Sequence, residues 1–314
     1  MKSCIASAPS STANLGPGYD VFGLALDALE DTVKITKVAG KEGRINIEME
    51  SEVVIPSDPH SNSVGLVVRK MAREFGITDN LDVHVKKGVP AGYGMGSSAA
   101  SAAAAAVAFN RLYSLKIRKE TLVEYAAEGE IASAGAKHYD NVSASLIGGF
   151  VISNINQETT VPEFVRIDPP KDLVLVVCVP SVPVPAKKTE VARMVLPKEV
   201  PLRSVVYNVS GASTVVAGFA LKDVEIIAKG INDVIVEPAR KHLIPGYDSV
   251  RRNALEAGAL AVTISGAGPS MIAFLKTSKK AKKVAAAMAA GFKEAGAESR
   301  TYTCKPSDGA RVTS

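Results

Sequence analysis

The feature that most restricts how this chain can fold is a run of 23 residues without a charged side chain, GVPAGYGMGSSAASAAAAAVAFN, at residues 88–110. A segment of this length is long enough to cross a membrane as a helix. Its composition argues against a membrane span, because glycine, serine, proline and alanine dominate and alanine contributes little transfer free energy. We therefore predict no membrane contact and interpret the run as a glycine loop followed by an alanine-rich helix.

The glycine loop has the features of a phosphate-binding segment. Gly92, Gly94 and Gly96 remove side chains at alternate positions, which permits positive φ angles and a close approach of the backbone to a ligand. Ser97 and Ser98 then begin the helix, whose free N–H groups and dipole favour an anion at its N-terminus. The loop is neither GxxxxGK[ST] nor GxGxxG, which disfavours the common nucleotide-binding folds. A glycine turn that only caps a buried helix is the structural alternative.

Charge and cysteine usage narrow the class of protein further. With 37 basic and 32 acidic residues the chain has a formal charge of +5, and the charges are dispersed rather than gathered into a stripe, so we expect no nucleic-acid partner. Cys4, Cys178 and Cys304 form no CxxC pair, and the N-terminal residues lack a long apolar segment. Both observations favour a cytoplasmic protein. The four histidines form no recognised metal-binding motif.

Strand and helix patterns alternate irregularly along the chain, without the repeated βαβ units of a doubly wound sheet. We predict strands at 33–38, 44–49, 81–86, 148–154, 173–179, 260–265, 271–276 and 298–303. We predict helices at 63–75, 97–113, 119–134 and 279–295, further helices that begin at 204, 222 and 249, and a surface loop with a short helix at 180–201. A polar, proline-containing stretch near residues 159–170 suggests a boundary. The prediction is therefore an α+β protein with two domains, residues 1–160 and 161–314.

Three motifs resemble those of the GHMP kinases, the family that includes galactokinase, homoserine kinase and mevalonate kinase. PAGYGMGSSAAS (90–101) resembles the family's phosphate loop, APSSTANLGPGYDVFGLAL (8–26) its N-terminal motif, and ISGAGPSMIAF (264–274) its C-terminal glycine motif. The motifs occur in the family's order and span nearly the whole chain. The resemblance implies an ATP-binding N-terminal domain like domain 2 of ribosomal protein S5 and a ferredoxin-like C-terminal domain.

The sequence resembles one branch of this family in particular. The N-terminal motif, GEIASAGAKHYDNVSAS (129–145) and VIVEPARKHLIP (234–245) are close to the versions found in homoserine kinases. This resemblance implies Mg²⁺- and ATP-dependent phosphorylation of the side-chain hydroxyl of L-homoserine, a step of threonine biosynthesis. Tyr19 replaces the usual Phe, Tyr93 a small residue and Met95 the common Leu. None of these departures removes a chemical group that the reaction requires.

The resemblance also implies which residues bind an amino-acid alcohol. Asn14 and Asp20 would hold the ammonium group. Arg193 and Arg240 would hold the carboxylate, because a guanidinium group matches its planar geometry. The structural alternatives are a turn residue for Asn14, a helix cap for Asp20 and surface salt bridges for the two arginines.

A second group of residues would face the acceptor hydroxyl. Asn141 would orient the hydroxyl, and Asp140 is either a base or a structural hydrogen-bond partner, since a loose phosphoryl-transfer transition state requires little early proton transfer. His138 and Gly266 would contact the substrate. A structural histidine and a tight hairpin are the respective alternatives.

The family's metal and nucleotide positions are also present. Ser98 and Glu130 match its Mg²⁺ ligands, which suit a hard cation, and Glu128 is the local competitor of Glu130. With Arg193, Asp140 and Asn141, these two ligands form the predicted catalytic set. Helix capping is the alternative for Asn62. The residues implied to bind the nucleotide are Asn62, Val64, Pro90, Ala91, Gly92, Tyr93, Gly94, Met95, Gly96, Ser97, Ser98, Ala99, Ala100 and Thr189.

Two other functions remain open from the sequence alone. The chain could be another GHMP kinase, of the shikimate or mevalonate type, or a metabolite sensor with the same fold and no catalysis. A zwitterion site built from Asp20, Asn14 and two arginines favours homoserine over the first, and the presence of both metal ligands disfavours the second. A homodimer is expected by analogy with the family.

Overall fold

Two β-sheets organise the computed structural model, which describes residues 2–156, 162–185 and 188–314, except for the side chains of residues 133, 134 and 155. The strands are β1 (Ser3–Asn14), β2 (Gly18–Val38), β3 (Ile45–Glu50), β4 (Asn80–Lys86), β5 (Phe150–Ile155), β6 (Pro162–Ile167), β7 (Val174–Pro180), β8 (Ala261–Ile264), β9 (Met271–Leu275), β10 (Ser299–Cys304) and β11 (Arg311–Val312). The helices are α1 (Ser63–Glu74), α2 (Ser97–Leu112), α3 (Lys119–Ala127), α4 (Glu130–Ala134), α5 (Asp140–Ile147), α6 (Lys188–Met194), α7 (Leu202–Leu221), α8 (Val224–Gly230), α9 (Val236–Arg240), α10 (Tyr247–Glu256) and α11 (Ala281–Glu294).

The first sheet is built around the long strand β2. Its strands follow the order β11-β1-β2-β4-β3, and β5 pairs with both β2 and β6. The first part of β2 pairs with β5 and its second part with β4, while β1 pairs along its other edge. The only parallel pair in this described sheet joins β3 to β4. A short C-terminal strand, β11, returns to pair with β1.

Helix α2 is the centre of the first core. Every alanine side chain in it is fully buried, against β1, β2 and the helices around them. Small side chains allow the backbone of α2 to lie close to the sheet, and no polar group other than two serines has to be buried with it. The predicted alanine-rich helix after a glycine loop is therefore confirmed.

The second sheet has four antiparallel strands in the order β10-β7-β9-β8. In chain order these are the fourth, first, third and second strands, with helices in the β7–β8 and β9–β10 connections. This is the βαββαβ arrangement of a ferredoxin-like domain. Helices α10 and α11 pack on the sheet and enclose a second core around Val250, Met288 and Phe292.

The α+β, two-domain prediction is confirmed, but several local predictions were wrong. Strand β1 and the first half of β2 were missed, because β1 is buried on both faces and shows no polar alternation. The helix predicted at 119–134 is broken into α3 and α4 at Glu128 and Gly129. The predicted boundary between residues 160 and 161 lies outside the described residues and stays a prediction. Strands β6 and β11, which lie beyond it in the chain, belong to the first sheet.

Candidate active site

A cleft of about 300 Å³ opens beside the glycine loop, between the two sheets. Most of the predicted site residues line it. They are Asn14, Asp20, Asn62, Val64, Ala91, Gly92, Gly94, Gly96, Ser97, Ser98, Glu130, His138, Asp140, Asn141, Thr189, Arg193, Arg240 and Gly266. The structure thus brings residues from both halves of the chain to one cavity.

The three sequence motifs meet at the glycine loop through direct hydrogen bonds. The Ser11 amide donates to the carbonyl oxygen of Met95 at 3.0 Å, and the Ser265 hydroxyl donates to the carbonyl oxygen of Gly94 at 2.7 Å. The Asn14 side-chain amide donates to the Gly266 carbonyl at 2.8 Å. These bonds hold the loop in one conformation, with its backbone facing the cleft.

Gly94 is the loop residue that tolerates a side chain least. Its φ angle is +78°, and a Cβ atom would lie 2.2 Å from the Ser265 carbonyl oxygen. We expect Gly94→Ala to lower kcat/KM for ATP by about 100-fold, because displacing the loop by about 1 Å is enough for a loss of that size. Steady-state kinetics measure this effect.

Gly76 provides a matched control for that substitution. It has a φ of +61° and open space where a Cβ would be, so Gly76→Ala tests left-handed strain alone. We expect Gly76→Ala to cost about 1 kcal/mol of stability and to leave catalysis unchanged. Equal kinetic losses in the two variants would show that crowding at Gly94 is not the cause.

A buried ion pair that the sequence did not reveal anchors the beginning of the loop. The Lys87 ammonium binds the Asp31 carboxylate and donates to the Ser97 carbonyl and the Ser101 hydroxyl, both at 2.8 Å. Asp31 also accepts the amides of Gly88 and Val89, each at 2.9 Å. The pair therefore joins the end of β4, the glycine loop and the first turn of α2.

Removing one member of this buried pair should be strongly destabilising. The two side chains are 7% and 0% exposed, so Lys87→Met leaves a buried carboxylate without its counter-ion. We expect a loss of about 3–5 kcal/mol in the free energy of unfolding, measured by urea denaturation. Lys86→Met is the matched control, since Lys86 is 63% exposed and pairs with Glu50 at the surface. A Lys87→Met protein as stable as Lys86→Met would contradict the anchoring role.

The predicted metal ligands are adjacent at one wall of the cleft. The Ser98 hydroxyl donates to Glu130 Oε1 at 2.5 Å. Burial raises the pKa of Glu130, while the Ser98 hydrogen bond and the Lys87 charge act in the opposite direction. Among the described residues, no group of three or more His, Cys, Asp or Glu side chains could hold a metal. A hydroxyl and a carboxylate fit a cation such as Mg²⁺, which usually keeps waters and phosphate oxygens as its other ligands.

The predicted binders of the ammonium and the carboxylate form a second cluster in the cleft and contact one another. Arg193 Nη2 donates to both oxygens of Asp20, at 2.8 and 2.7 Å, and lies 3.1 Å from His138 Nδ1. Asn14 Oδ1 accepts the Asp20 amide at 3.0 Å. Burial, and then the Arg193 charge, lower the pKa of His138, which favours its neutral form. Asp20 lies within β2, so the helix-cap alternative for it is wrong.

Arg240 and Tyr19 belong to the same cluster of the cleft. Arg240 is only 3% exposed, which excludes the surface salt bridge considered for it. Its Nε donates to the Ala192 carbonyl at 2.9 Å. The Tyr19 ring lies 5.1 Å from the Arg240 guanidinium and 5.5 Å from that of Arg193. This tyrosine therefore packs against both arginines and helps to fix their positions.

Asp140 and Asn141 begin α5 and line the same cleft. Burial raises the pKa of Asp140 to about 7, and repulsion from Asp20 adds to the shift. Its Oδ1 accepts the Asn141 amide at 2.7 Å. Asn141 Oδ1 accepts the Ser11 hydroxyl at 3.0 Å, which fixes the side-chain amide beside the glycine loop. The bond with the Asn141 amide is a structural contact, and a pKa of about 7 suits a group that accepts a proton near neutral pH.

Some predicted nucleotide-binding residues do not line the cleft. The side chains of Met95, Ala99 and Ala100 are fully buried in the core. Pro90 and Tyr93 also lie outside the lining, and the Tyr93 hydroxyl donates to the Val182 carbonyl at 3.0 Å. The Tyr93 hydroxyl is therefore bonded to the backbone of the segment that follows β7. For the residues with buried side chains, only backbone atoms remain for a contact with phosphate.

Asn62 lines the cleft and also caps a helix. Its Oδ1 accepts the amides of Val64 and Gly65 at the start of α1, at 2.9 and 3.3 Å. Its Nδ2 donates to the Pro56 carbonyl at 2.6 Å. The capping alternative is thus confirmed, and a contact of Asn62 with adenine stays a prediction.

Sequence reasoning missed two lysines of the cleft, Lys87 and Lys188. Lys87 follows the predicted strand at 81–86 and was assigned no role. Lys188 lies in the charged run KKTEVAR, which was interpreted as part of a surface loop. Lys87 comes immediately before the uncharged run, and this adjacency was the available signal for a buried cation.

Comparisons with known proteins identify similar sequences and a similar structure. The family descriptions "GHMP kinases N terminal domain" and "GHMP kinases C terminal" match residues 62–149 and 215–294. A homoserine kinase of Halorubrum lacusprofundi is 41% identical over 305 residues, 97% of each chain. One of Methanocella arvoryzae is 41% identical over 312 residues, 99% of this chain and 98% of the relative. The crystal structure of homoserine kinase from Cytophaga hutchinsonii superposes with a TM-score of 0.91 at 34% identity, covering 99% of this chain and 98% of the other.

Proposed function

This chain belongs to the GHMP kinase family, and on that premise we propose that it transfers the γ-phosphoryl group of ATP to the side-chain hydroxyl of L-homoserine. The products are ADP and O-phospho-L-homoserine, an intermediate of threonine biosynthesis. The observation that carries the choice of substrate is the cluster that Asp20, Arg193 and Arg240 form in the cleft, where Arg193 pairs with Asp20 and the Tyr19 ring packs against both arginines. A carboxylate and two guanidinium groups side by side are complementary to a zwitterion.

The ammonium and carboxylate groups of the substrate would bind Asp20 and Arg193, which contact each other in the free protein. The ammonium group would bind the Asp20 carboxylate and Asn14, and the substrate carboxylate would bind Arg193 and Arg240. Asp20 and Arg193 satisfy each other without substrate, which avoids leaving either charge unpaired in a half-buried site. Neutral His138, beside Arg193, adds a hydrogen-bonding group for the bound substrate.

The nucleotide would lie along the glycine loop. Backbone N–H groups of the loop and the N-terminus of α2 would bind the phosphates. Ser98 and Glu130 would hold Mg²⁺, which when bound offsets the negative charge that develops on the transferred phosphoryl group. Thr189, at the start of α6 on the facing wall, would contact the γ-phosphate. Asn62 and Val64 would border the adenine.

Asn141 would orient the homoserine hydroxyl for in-line attack on the γ-phosphorus. Its hydrogen bond with Ser11 holds the amide in place. The hydroxyl proton would leave late in such a reaction, so positioning and charge stabilisation supply most of the catalysis. Asp140 would either accept that proton or fix the start of α5.

A substrate panel tests this function. ADP release is measured with ATP and Mg²⁺ in the presence of L-homoserine, shikimate or mevalonate, and the phosphorylated product is identified by mass spectrometry. We expect turnover with L-homoserine and at most traces with the other two. Turnover of shikimate or mevalonate at the rate of L-homoserine would contradict the proposal, and ligand binding without any turnover would indicate a sensor.

An exposed apolar face of α7 supports a homodimer. Leu202, Val206, Val209 and Leu221 are 77%, 61%, 59% and 68% exposed and recur at helical spacing. The opposite face of α7 packs against α8, since a Cβ on Gly218 would lie 2.4 Å from the Ile227 amide nitrogen of α8. By length and composition alone this helix could also cross a membrane. We propose instead that α7 packs against a second copy of this chain.

Substitution on the exposed face of α7 tests the dimer. We expect sedimentation equilibrium to give a dimer for the unmodified protein and a monomer for Val206→Glu. Dimer formation would bury the new carboxylate without a counter-ion, which is unfavourable. Val165→Glu, at an exposed valine of β6, is the matched control and should stay dimeric. A monomer before any substitution would contradict the dimer, and a requirement for detergent would indicate a membrane contact.

We also propose a cytoplasmic location. All three cysteines are buried thiols, a state that a reducing compartment preserves.

A further inference from the structure

Lys188 is a cation of the cleft that the mechanism above leaves unused. It is the first residue of α6, and its side chain lines the cleft together with its neighbour Thr189. Its ammonium donates to the carbonyl oxygen of Gly268 in the C-terminal glycine motif. Burial lowers the pKa of Lys188 to about 7, and repulsion from Arg240 contributes to this shift.

Lys188 has no acidic partner among the residues that the structure describes. Among the described residues, none places a carboxylate within salt-bridge distance of its ammonium. The charged and titratable groups of the cleft include Arg240 on α9 and Arg193 on α6, while the glycine motif at residues 264–270 carries no charge. The other such lining groups are Asp20, Lys87, Glu130, His138 and Asp140. A largely buried ammonium group without a counter-ion is costly to the free protein, so an anion that enters the cleft should find it an available partner.

The position of Gly268 places this ammonium beside the phosphate loop. A Cβ on Gly94 would lie 2.8 Å from the Gly268 carbonyl oxygen, so the glycine motif and the glycine loop are in direct backbone contact there. Lys188, hydrogen-bonded to that same carbonyl, is therefore next to the middle of the loop. The loop itself contains no lysine.

We propose that Lys188 binds the phosphoryl group that is transferred, supplying from α6 the positive charge that the glycine loop lacks. This inference rests on the proposed kinase function, because it assumes that a nucleoside triphosphate occupies the loop. It makes Lys188 a contact of the terminal phosphate, whereas the loop and α2 contact the inner phosphates.

The proposal has a consequence for pH. In the free protein Lys188 loses its proton as the pH rises through about 7, whereas a bound phosphate would raise its pKa and keep it charged. Binding above pH 7 must therefore take up a proton, and affinity for the triphosphate should fall as the pH increases. Lys188→Arg stays charged throughout this range and should remove that part of the pH dependence.

Calorimetric titration of the whole protein with Mg²⁺ and either a non-hydrolysable ATP analogue or ADP tests the contact. We expect Lys188→Met to weaken the ATP analogue by about 10-fold or more, as for the loss of a charged hydrogen bond, and ADP by less than about twofold. Lys188→Arg should retain affinity and lose the proton uptake between pH 7 and 9. Other titrating groups of the cleft are shared by all variants and cancel in the comparison.

The matched control is Lys198→Met, an exposed lysine of the segment that follows α6. It should bind both nucleotides as the unmodified protein does. Equal losses for ADP and the ATP analogue in Lys188→Met would reduce Lys188 to a structural link with Gly268, and no loss would overturn the proposal. If Lys188→Met does not fold, a Lys188→Arg protein whose proton uptake is unchanged overturns it equally. Binding data are independent of the acceptor, so failure to phosphorylate homoserine would be distinguishable from failure of this contact.

Discussion

Replacing Glu130 by glutamine should lower kcat by about 100- to 1,000-fold, the loss typical of removing one group that stabilises transition-state charge. Glutamine retains the shape and the hydrogen bond with Ser98 but cannot supply the anionic ligand of Mg²⁺. The Mg²⁺ concentration for half-maximal activity should rise by at least about 10-fold, since even residues behind metal ligands contribute that much. Both quantities are obtained from initial rates across a Mg²⁺ series.

Glu128→Gln is the matched control for this prediction. Glu128 lies two residues before Glu130, at the end of α3, and its carboxylate lies 3.4 Å from the Lys137 ammonium and outside the lining of the cleft. We expect Glu128→Gln to show the kcat and Mg²⁺ dependence of the unmodified enzyme. If Glu128→Gln showed the losses and Glu130→Gln did not, the metal assignment would belong to Glu128.

Arg240→Ala should raise KM for L-homoserine by about 10- to 100-fold, because the substrate carboxylate loses a charged hydrogen-bond donor in a buried position. KM for ATP should remain nearly constant, since Arg240 belongs to the proposed amino-acid site and not to the proposed nucleotide site. Arg240→Lys keeps the charge but loses the planar guanidinium fork. Its KM for L-homoserine should therefore lie between that of the unmodified enzyme and that of Arg240→Ala.

Arg240 also donates a hydrogen bond to the Ala192 carbonyl of α6, and Arg240→Ala removes this contact as well. KM for ATP distinguishes the loss of this contact from the loss of substrate binding. An unchanged KM for ATP in Arg240→Ala shows that the cleft is intact. Lys241→Ala, at the neighbouring exposed position, controls for a general effect on this turn. An Arg240→Ala enzyme with unmodified affinity for homoserine would exclude Arg240 from the carboxylate site.

The fold and the location of the cleft could be predicted because their signals are local in the sequence. The glycine spacing at Gly92, Gly94 and Gly96 and the alanine run after them determine a loop and a buried helix within one segment. The ferredoxin-like topology and the meeting of the motifs came from the family resemblance. No periodicity in this chain specifies a strand order.

The missed features depend on contacts between distant segments. Asp31 and Lys87 are 56 residues apart and meet because Thr32 and Lys86 are partners in the β2–β4 register. Strand β1 was missed because both of its faces are buried. The pairing of Asp20 with Arg193 crosses 173 residues, so two residues assigned to different groups of the same ligand were found in contact with each other. Such contacts follow from the tertiary arrangement, and sequence patterns report only the segments that contribute to it.

The preference of the enzyme for a zwitterionic substrate is measured by one ratio of specificity constants. The measurement compares kcat/KM for L-homoserine with kcat/KM for 4-hydroxybutyrate, which has the same carboxylate and hydroxyl groups but no ammonium group. We predict a preference for L-homoserine of about 10⁴-fold, since a site built to hydrogen-bond a polar group rejects an analogue that lacks it. Equal kcat/KM values for the two compounds would contradict the assignment of Asp20 and Asn14, and with it the account of the cleft as a homoserine site.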